Sequence, residues 1–121
     1  MRFAVSVTYL NIKVSSPKEP KKQTDRHFLV DSGAVYSVMP SALLKKMGIK
    51  PEDKQQFSLA NGEVIEKEVG NAYFEYGSKR RTSPVVFGGE GIFLLGAVTL
   101  ESLGMILDPI NRELLPLPML I

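Results

Sequence analysis

The sequence contains no cysteine, a single histidine and no long uninterrupted apolar run. Without cysteine, disulfides and thiolate metal sites are excluded, which suits a reducing compartment. His27 has no partner at metal-ligand spacing, so a structural role is expected for it, and neither a metal nor a cofactor is expected. No stretch of about 18 apolar residues is present to cross a bilayer. Met1-Arg2-Phe3-Ala4-Val5-Ser6-Val7 alternates polar with apolar residues and so lacks the continuous apolar core of a signal peptide. A cytoplasmic protein with no membrane partner is therefore expected. Neither sign of charge dominates: 15 basic residues face 13 acidic ones, and a net charge of +2 is too small to argue for nucleic acid.

What is present is ordinary globular material, 44% hydrophobic and 23% charged. A chain of 121 residues can build one core but has little to spare for a second, so one domain over residues 1–121 is expected. Residues 3–14 are rich in β-branched and aromatic types with partial alternation, which favours one or two strands. Ser15 to Arg26 holds Pro17, Pro20, Lys18, Lys21 and Lys22 and almost nothing apolar, and reads as a surface connection. His27 to Val30 is a short apolar strand that runs into Asp31-Ser32-Gly33, and Val35 to Met39 is a second buried segment, so Asp31 falls at a loop tip. Pro40 to Gly48 predicts a short helix stopped by Gly48.

Between Phe57 and Tyr76, Asn61-Gly62 separates two apolar runs and predicts a hairpin. A second turn at Gly77 to Arg81 leads to Pro84-Val85-Val86-Phe87, followed by the glycine-rich Gly88 to Gly91. Ile92 to Leu95 predicts another buried strand ending at Gly96, and Ala97 to Met105 a short helix that stops at Gly104. Met105-Ile106-Leu107 and Asp108 to Arg112 read as strand, turn and returning strand. No unit of 20 to 50 residues repeats, but an apolar strand ending in a glycine turn before a short helix occurs at both Asp31 and Gly96.

Asp-Ser-Gly alone is also what an Asx-type turn between two strands prefers. Its setting is more telling: three apolar residues before it, Ala34 after it, then an apolar segment, a helix, a hairpin and a late Phe93-Leu94-Leu95-Gly96 strand before a second helix. In that order, from about His27 to Leu114, these features resemble the retropepsin-like aspartic peptidases, the family of the retroviral proteases and their single-domain cellular and microbial relatives. The resemblance implies a mostly β protein, a closed acid-protease-type barrel with two short helices and one catalytic loop per subunit. It implies that Asp31, Ser32, Gly33 and Ala34 form that loop, that Leu94-Leu95-Gly96 packs near it in a structural role, and that the hairpin tip Ala60, Asn61, Gly62 and Glu63 covers a bound peptide. Viral relatives carry glycine-rich tips, whereas this one is followed by Glu66, Lys67 and Glu68. An edge hairpin without a lid role is the plainer reading of the same segment.

Two carboxylates held close together cannot both ionise easily and so share one proton, which makes one a base and the other an acid. Asp31 would take its proton from a water between them, while its mate bonds to the developing oxyanion. Ser32 can donate and accept, and so can lock two loops across a two-fold axis. Gly33 lets the backbone approach the carboxylate. One Asp-Ser-Gly is present and the chemistry needs two, since Asp25 precedes Arg-His and Asp108 precedes a proline in a turn. A homodimer acting on a polypeptide substrate follows, and the apolar Leu114 to Ile121 is a candidate contact. Lys18, Lys21, Lys22, Lys79, Arg80 and Arg81 form two basic clusters that two solvated loops explain without nucleic acid, and Glu52 and Asp53 beside Pro51 suggest an exposed turn. Two rival functions share this sequence: a barrel of the same type that binds peptides or dimerises with little turnover, and a small β-barrel that binds nucleic acid.

Overall fold

The computed structural model describes residues 8–31, 33–108, 110, 111 and 113–117. The expected opening strand is present where it is described: β1 (Tyr9–Ser15) pairs antiparallel with β2 (Gln23–Val30), with Tyr9 opposite Leu29 and Ser15 opposite Gln23. Residues 1–7 lie outside the described residues. β2 begins four residues before the apolar segment His27 to Val30, so only residues 16–22 connect the two strands, and Ser15 and Ser16 are buried rather than on the surface. The polar start of β2 is invisible to hydrophobic patterning because its backbone is held by the ladder, with Asp25 opposite Lys13 and Thr24 opposite Val14.

The remaining elements are β3 (Ser37–Pro40), α1 (Ser41–Lys46), β4 (Asp53–Ser58), β5 (Val64–Tyr76), β6 (Lys79–Gly88), β7 (Leu94–Leu95), α2 (Ala97–Ser102), β8 (Met105–Asp108) and β9 (Glu113–Pro116). Hydrogen-bonded neighbours run β1-β2-β7-β3-β6-β5, and β5 returns to β1 with Val14 opposite Phe74. Six strands therefore close on one another as the expected barrel, and closure removes their free edges. β4 hangs from the first half of β5, outside the ring. Two-residue β7 is inserted between β2, to which it is parallel, and β3, to which it is antiparallel.

Inward side chains of this ring form the core: Ile12, Val14, Phe28, Met39, Phe74, Val85 and Leu95, all fully buried, together with Leu44 of α1 and Leu100 of α2. The Phe28 ring meets Phe74 and Phe93 edge-on at 6.1 and 5.5 Å, the geometry that aromatic quadrupoles favour. Helix α1 ends in Lys45 and Lys46, whose charge suits the carbonyl end of a helix, and Gly48 follows at φ +79°. α2 stops in the same way before Gly104, as expected.

Three boundaries differ from expectation. Val35 and Ile92 are 62% and 42% exposed and lie outside β3 and β7, because the pairing of Val38 with Leu94 starts only beyond them. The second turn is Gly77 and Ser78 alone, since Tyr76 already pairs with Lys79. Lys79, Arg80 and Arg81 are thus strand rather than loop, and the Arg80 guanidinium sits 4.4 Å from the centre of the Tyr73 ring across the ladder. Glu52 and Asp53 are exposed, but Asp53 begins β4 opposite Val69 rather than lying in a turn.

β8 and β9 form a separate two-stranded ribbon. Met105, Leu107 and Leu114 pack on the core, while the facing pair Ile106 and Leu115 is 47% and 40% exposed on the other side. The turn between them is tied by Asp108, whose carboxylate accepts from the backbone N–H groups of Asn111 and Ile110 and from Asn111 Nδ2. These bonds, the Asn111 backbone first, hold the Asp108 carboxyl below its ordinary value of 3.8. A lowered folded value means that the turn is fully supported above 3.8 and loses that support as pH falls further, through the folded value. The Ile110 and Asn111 amide resonances should titrate with a midpoint below 3.8, and Asp108→Asn should abolish the titration; a midpoint above 3.8 contradicts the bonding.

Candidate active site

Phe28 and Val30 point into the barrel and fix the end of β2. Beyond it the chain is held by its backbone. The Val30 N–H donates to the Thr8 carbonyl at 2.8 Å and the Asp31 N–H to the Leu95 carbonyl at 2.9 Å. The loop then turns on itself: the Ala34 N–H donates to the Asp31 carbonyl at 3.1 Å and the Gly33 N–H to Asp31 Oδ1 at 3.0 Å. A β-carbon on Gly33 would stand 3.3 Å from that oxygen, closer than most side chains approach, so glycine suits this contact. Asp31 is half-buried, and Ser32 lies outside the described residues.

The far side of the loop rests on α2. Ala97 and Val98, the first two residues of the helix, donate to the carbonyls of Ala34 and Val35 at 2.8 and 3.0 Å. Leu94-Leu95-Gly96 thus has the structural place expected of it: a strand too short to be a core layer alone supplies the carbonyl for Asp31 and aims the helix at Ala34.

The hairpin of β4 and β5 turns through Ala60, Asn61 and Gly62, with the Gly62 N–H donating to the Leu59 carbonyl at 2.9 Å and the Leu59 N–H to the Glu63 carbonyl at 2.7 Å. Gly62 is left-handed at φ +87°, as the third residue of a three-residue hairpin loop requires, and Asn61 Oδ1 accepts from the Glu63 N–H. Ala60, Asn61, Gly62 and Glu63 are all exposed, and no hydrogen bond among the described residues joins them to Asp31. The hairpin meets the loop region lower down, where the Phe57 ring packs edge-on against Tyr36 at 6.2 Å. Phe57 and its cross-strand partner Ile65 are half-buried on this face, while Ser58 and Val64 next to them are exposed. Lys45 of α1 reaches Glu68 of β5 at 3.9 Å, a surface pair that adds little.

Among the described residues, no three His, Asp or Glu side chains cluster as a metal site would require. His27 stacks on Tyr9 at 4.7 Å and its Nδ1 meets Asn11 Oδ1 at 2.9 Å, which places it on the outside of the β1–β2 ladder. Sequence reasoning passed over Tyr36, which carries the hairpin contact, and the hydroxyls of Ser37, Ser83 and Thr99, which lie buried behind the loop. A serine inside the apolar run Val35 to Met39 was the available signal, because a buried hydroxyl needs a partner.

A barrel with an Asp-Ser-Gly loop backed by a glycine-led helix defines an acid-protease fold, and the aspartyl protease family model matches residues 21–103. The chain belongs to the aspartyl protease family. Among solved structures it is similar to EIAV protease complexed with the inhibitor HBY-793, with a TM-score of 0.63 and 16% identity over 89% of this chain and 98% of that one. It is also similar to the Simian Foamy Virus (mac) protease, with a TM-score of 0.52 and 17% identity over 78% of this chain and 92% of that one. A search of curated proteins finds no match. The two structural likenesses establish a retroviral-protease-like fold.

Proposed function

We propose that this chain is one half of a homodimeric aspartic endopeptidase and that Asp31 is the catalytic carboxylate of each half. The observation that carries the reading is the posture of Asp31 in an aspartyl protease chain. Its backbone is clamped by Leu95 and its Oδ1 is engaged by Gly33, so the carboxylate is held at the end of β2 by groups that do not neutralise it. Two such loops across a two-fold axis bring two Asp31 side chains together, and mutual repulsion then favours a singly protonated pair. The ionised member draws a proton from a water as the water attacks the scissile carbonyl. The protonated member bonds to the oxygen on which charge develops, and its proton later serves the leaving amine. Ser32, Gly33 and Ala34 complete the loop, and the hairpin tip from Ala60 to Glu63 closes over an extended polypeptide, with Phe57 and Tyr36 as its footing. Closure of this kind excludes water and orients the bound chain.

Dimerisation is supported by the single Asp-Ser-Gly per chain and by the exposed Ile106 and Leu115 pair on the outer face of the β8–β9 ribbon. Beside it, a groove of about 420 Å³ runs between the Tyr76 to Lys79 turn and Leu103, Met105, Leu114 and Pro116. Cleavage of a mixed peptide pool tests the activity. Specific activity should fall as the chain is diluted through its dimer dissociation constant, and Ile106→Lys should raise that constant by about tenfold or more without lowering the thermal midpoint of the monomer, because Ile106 is already exposed. Constant specific activity at dilutions where light scattering finds only monomer would overturn the paired-carboxylate mechanism.

A further inference from the structure

Behind the Asp31 loop, three hydroxyls lie out of reach of water: Ser37 and Thr99 are 0% exposed and Ser83 is 1% exposed. They belong to β3, α2 and β6, and Ser37 and Thr99 are 62 residues apart in sequence. The three hydroxyls form one hydrogen-bonded chain. The Ser83 hydroxyl lies 2.8 Å from that of Thr99 and 3.5 Å from the Pro84 carbonyl. Thr99 also bonds to the Ser37 hydroxyl. Ser37 in turn accepts from the backbone N–H of Gly96 at 3.0 Å. No buried side-chain polar atom among the described residues is left without a partner.

We infer that Thr99 is a positioning residue: the hydrogen-bonded chain from Gly96 through Ser37 and Thr99 to Ser83 holds α2 in the orientation that sets the Asp31 loop. Gly96 joins β7 to α2. One residue before it, Leu95 takes the Asp31 N–H; one and two residues after it, Ala97 and Val98 bond to Ala34 and Val35. Among the described residues, the backbone hydrogen bonds that join the loop to this side all lie within two residues of Gly96. Apolar packing alone would let a six-residue helix roll or slide, because dispersion contacts are not directional. Hydrogen bonds in a dry interior are directional, and a fully satisfied network permits one arrangement. Paired catalytic groups are sensitive to placement, and a displacement of about 1 Å can cost on the order of 100-fold in rate.

This inference rests on the proposed peptidase reading for its kinetic arm and has a second arm that does not. Thr99→Val keeps shape and removes the hydroxyl, while Thr99→Ser keeps the hydroxyl and removes a methyl. In the dimer, kcat for peptide cleavage should fall about 10-fold to 100-fold in Thr99→Val with KM within about twofold, and Thr99→Ser should restore most of it. Independently of activity, amide exchange at Asp31, Gly33, Ala97 and Val98 should accelerate at least about tenfold in Thr99→Val, with Phe74 and Val85 in the barrel unchanged. Ser83→Ala, which leaves the Gly96 to Thr99 links intact, should give a smaller change of the same kind and covers the case in which Thr99→Val fails to fold. Equal loss in the valine and serine variants, or exchange that rises throughout the barrel and not in the loop, would overturn the positioning role. Absence of cleavage in the wild type would sink the peptidase reading and leave the exchange test standing.

Discussion

Asp31→Asn should reduce peptide cleavage by about 10³-fold or more while leaving the fold intact. Asparagine has nearly the same shape, and its Oδ1 can still accept from the Gly33 N–H that Asp31 engages at 3.0 Å. The Asp31 backbone contact to the Leu95 carbonyl does not involve the side chain at all. What is lost is the ability to hold a negative charge and to exchange a proton, and it is lost from both halves of a homodimer at once. No neighbouring group in the described loop can substitute, since Gly33 and Ala34 carry no titratable side chain. The dimer should persist, because two amides can hydrogen-bond to each other where the carboxylate pair shared its proton. Circular dichroism and light scattering should therefore match the wild type while hydrolysis of a peptide pool disappears. Cleavage that survives the substitution would rule out the aspartic mechanism. A wild type that binds peptides without cutting them would favour the rival reading of a binding or dimerisation module.

Gly96→Ala should be severely damaging, lowering stability by about 3 kcal/mol or more and abolishing cleavage with it. The cause is space rather than torsion. Gly96 has φ −89° and ψ 174°, which alanine adopts without strain. A β-carbon there would lie 2.5 Å from the Tyr36 carbonyl carbon, 2.6 Å from its oxygen and 2.9 Å from the Ser37 nitrogen. All three are backbone atoms at the junction of the Asp31 loop with β3, so no side-chain rotation relieves the contact. Either β3 moves away from β7 or α2 tilts, and both break the bonds that hold Ala34, Val35 and Ser37. Gly62→Ala is the matched control: its site is open, and only the left-handed φ of +87° opposes the methyl group, at about 1 kcal/mol. Thermal unfolding of the two variants should separate them by on the order of 10 °C. Equal midpoints would contradict a close approach of the Tyr36 backbone to Gly96.

Much of the candidate site was legible because its signals are local. Gly48 and Gly104 mark helix ends, Asn61-Gly62 marks a hairpin, and Asp31-Ser32-Gly33 after Phe28-Leu29-Val30 marks a strand running into a loop; each depends on a few neighbouring residues. The echo between Asp31 and Gly96 was legible too, and the two segments meet where Asp31 bonds to Leu95. The polar half of β2 was not, because a strand held by its ladder need not be apolar. The two-residue extent of β7 was not either, and Ile92 fell outside it, because an apolar run does not say which of its residues find a partner.

In the sequence alone, residue chemistry acting over a few positions specifies a single Asp-Ser-Gly, its flanking strand, two short helices and a turn-closed hairpin, in an order that resembles an acid-protease chain. Tertiary structure alone decided the rest. It closed β5 onto β1, seated β7 between β2 and β3, stood Phe57 on Tyr36, and brought Ser37, Ser83 and Thr99 together behind Asp31. Those contacts join residues far apart in the chain, and only the packing of a common core determines which of many compatible partners each one meets.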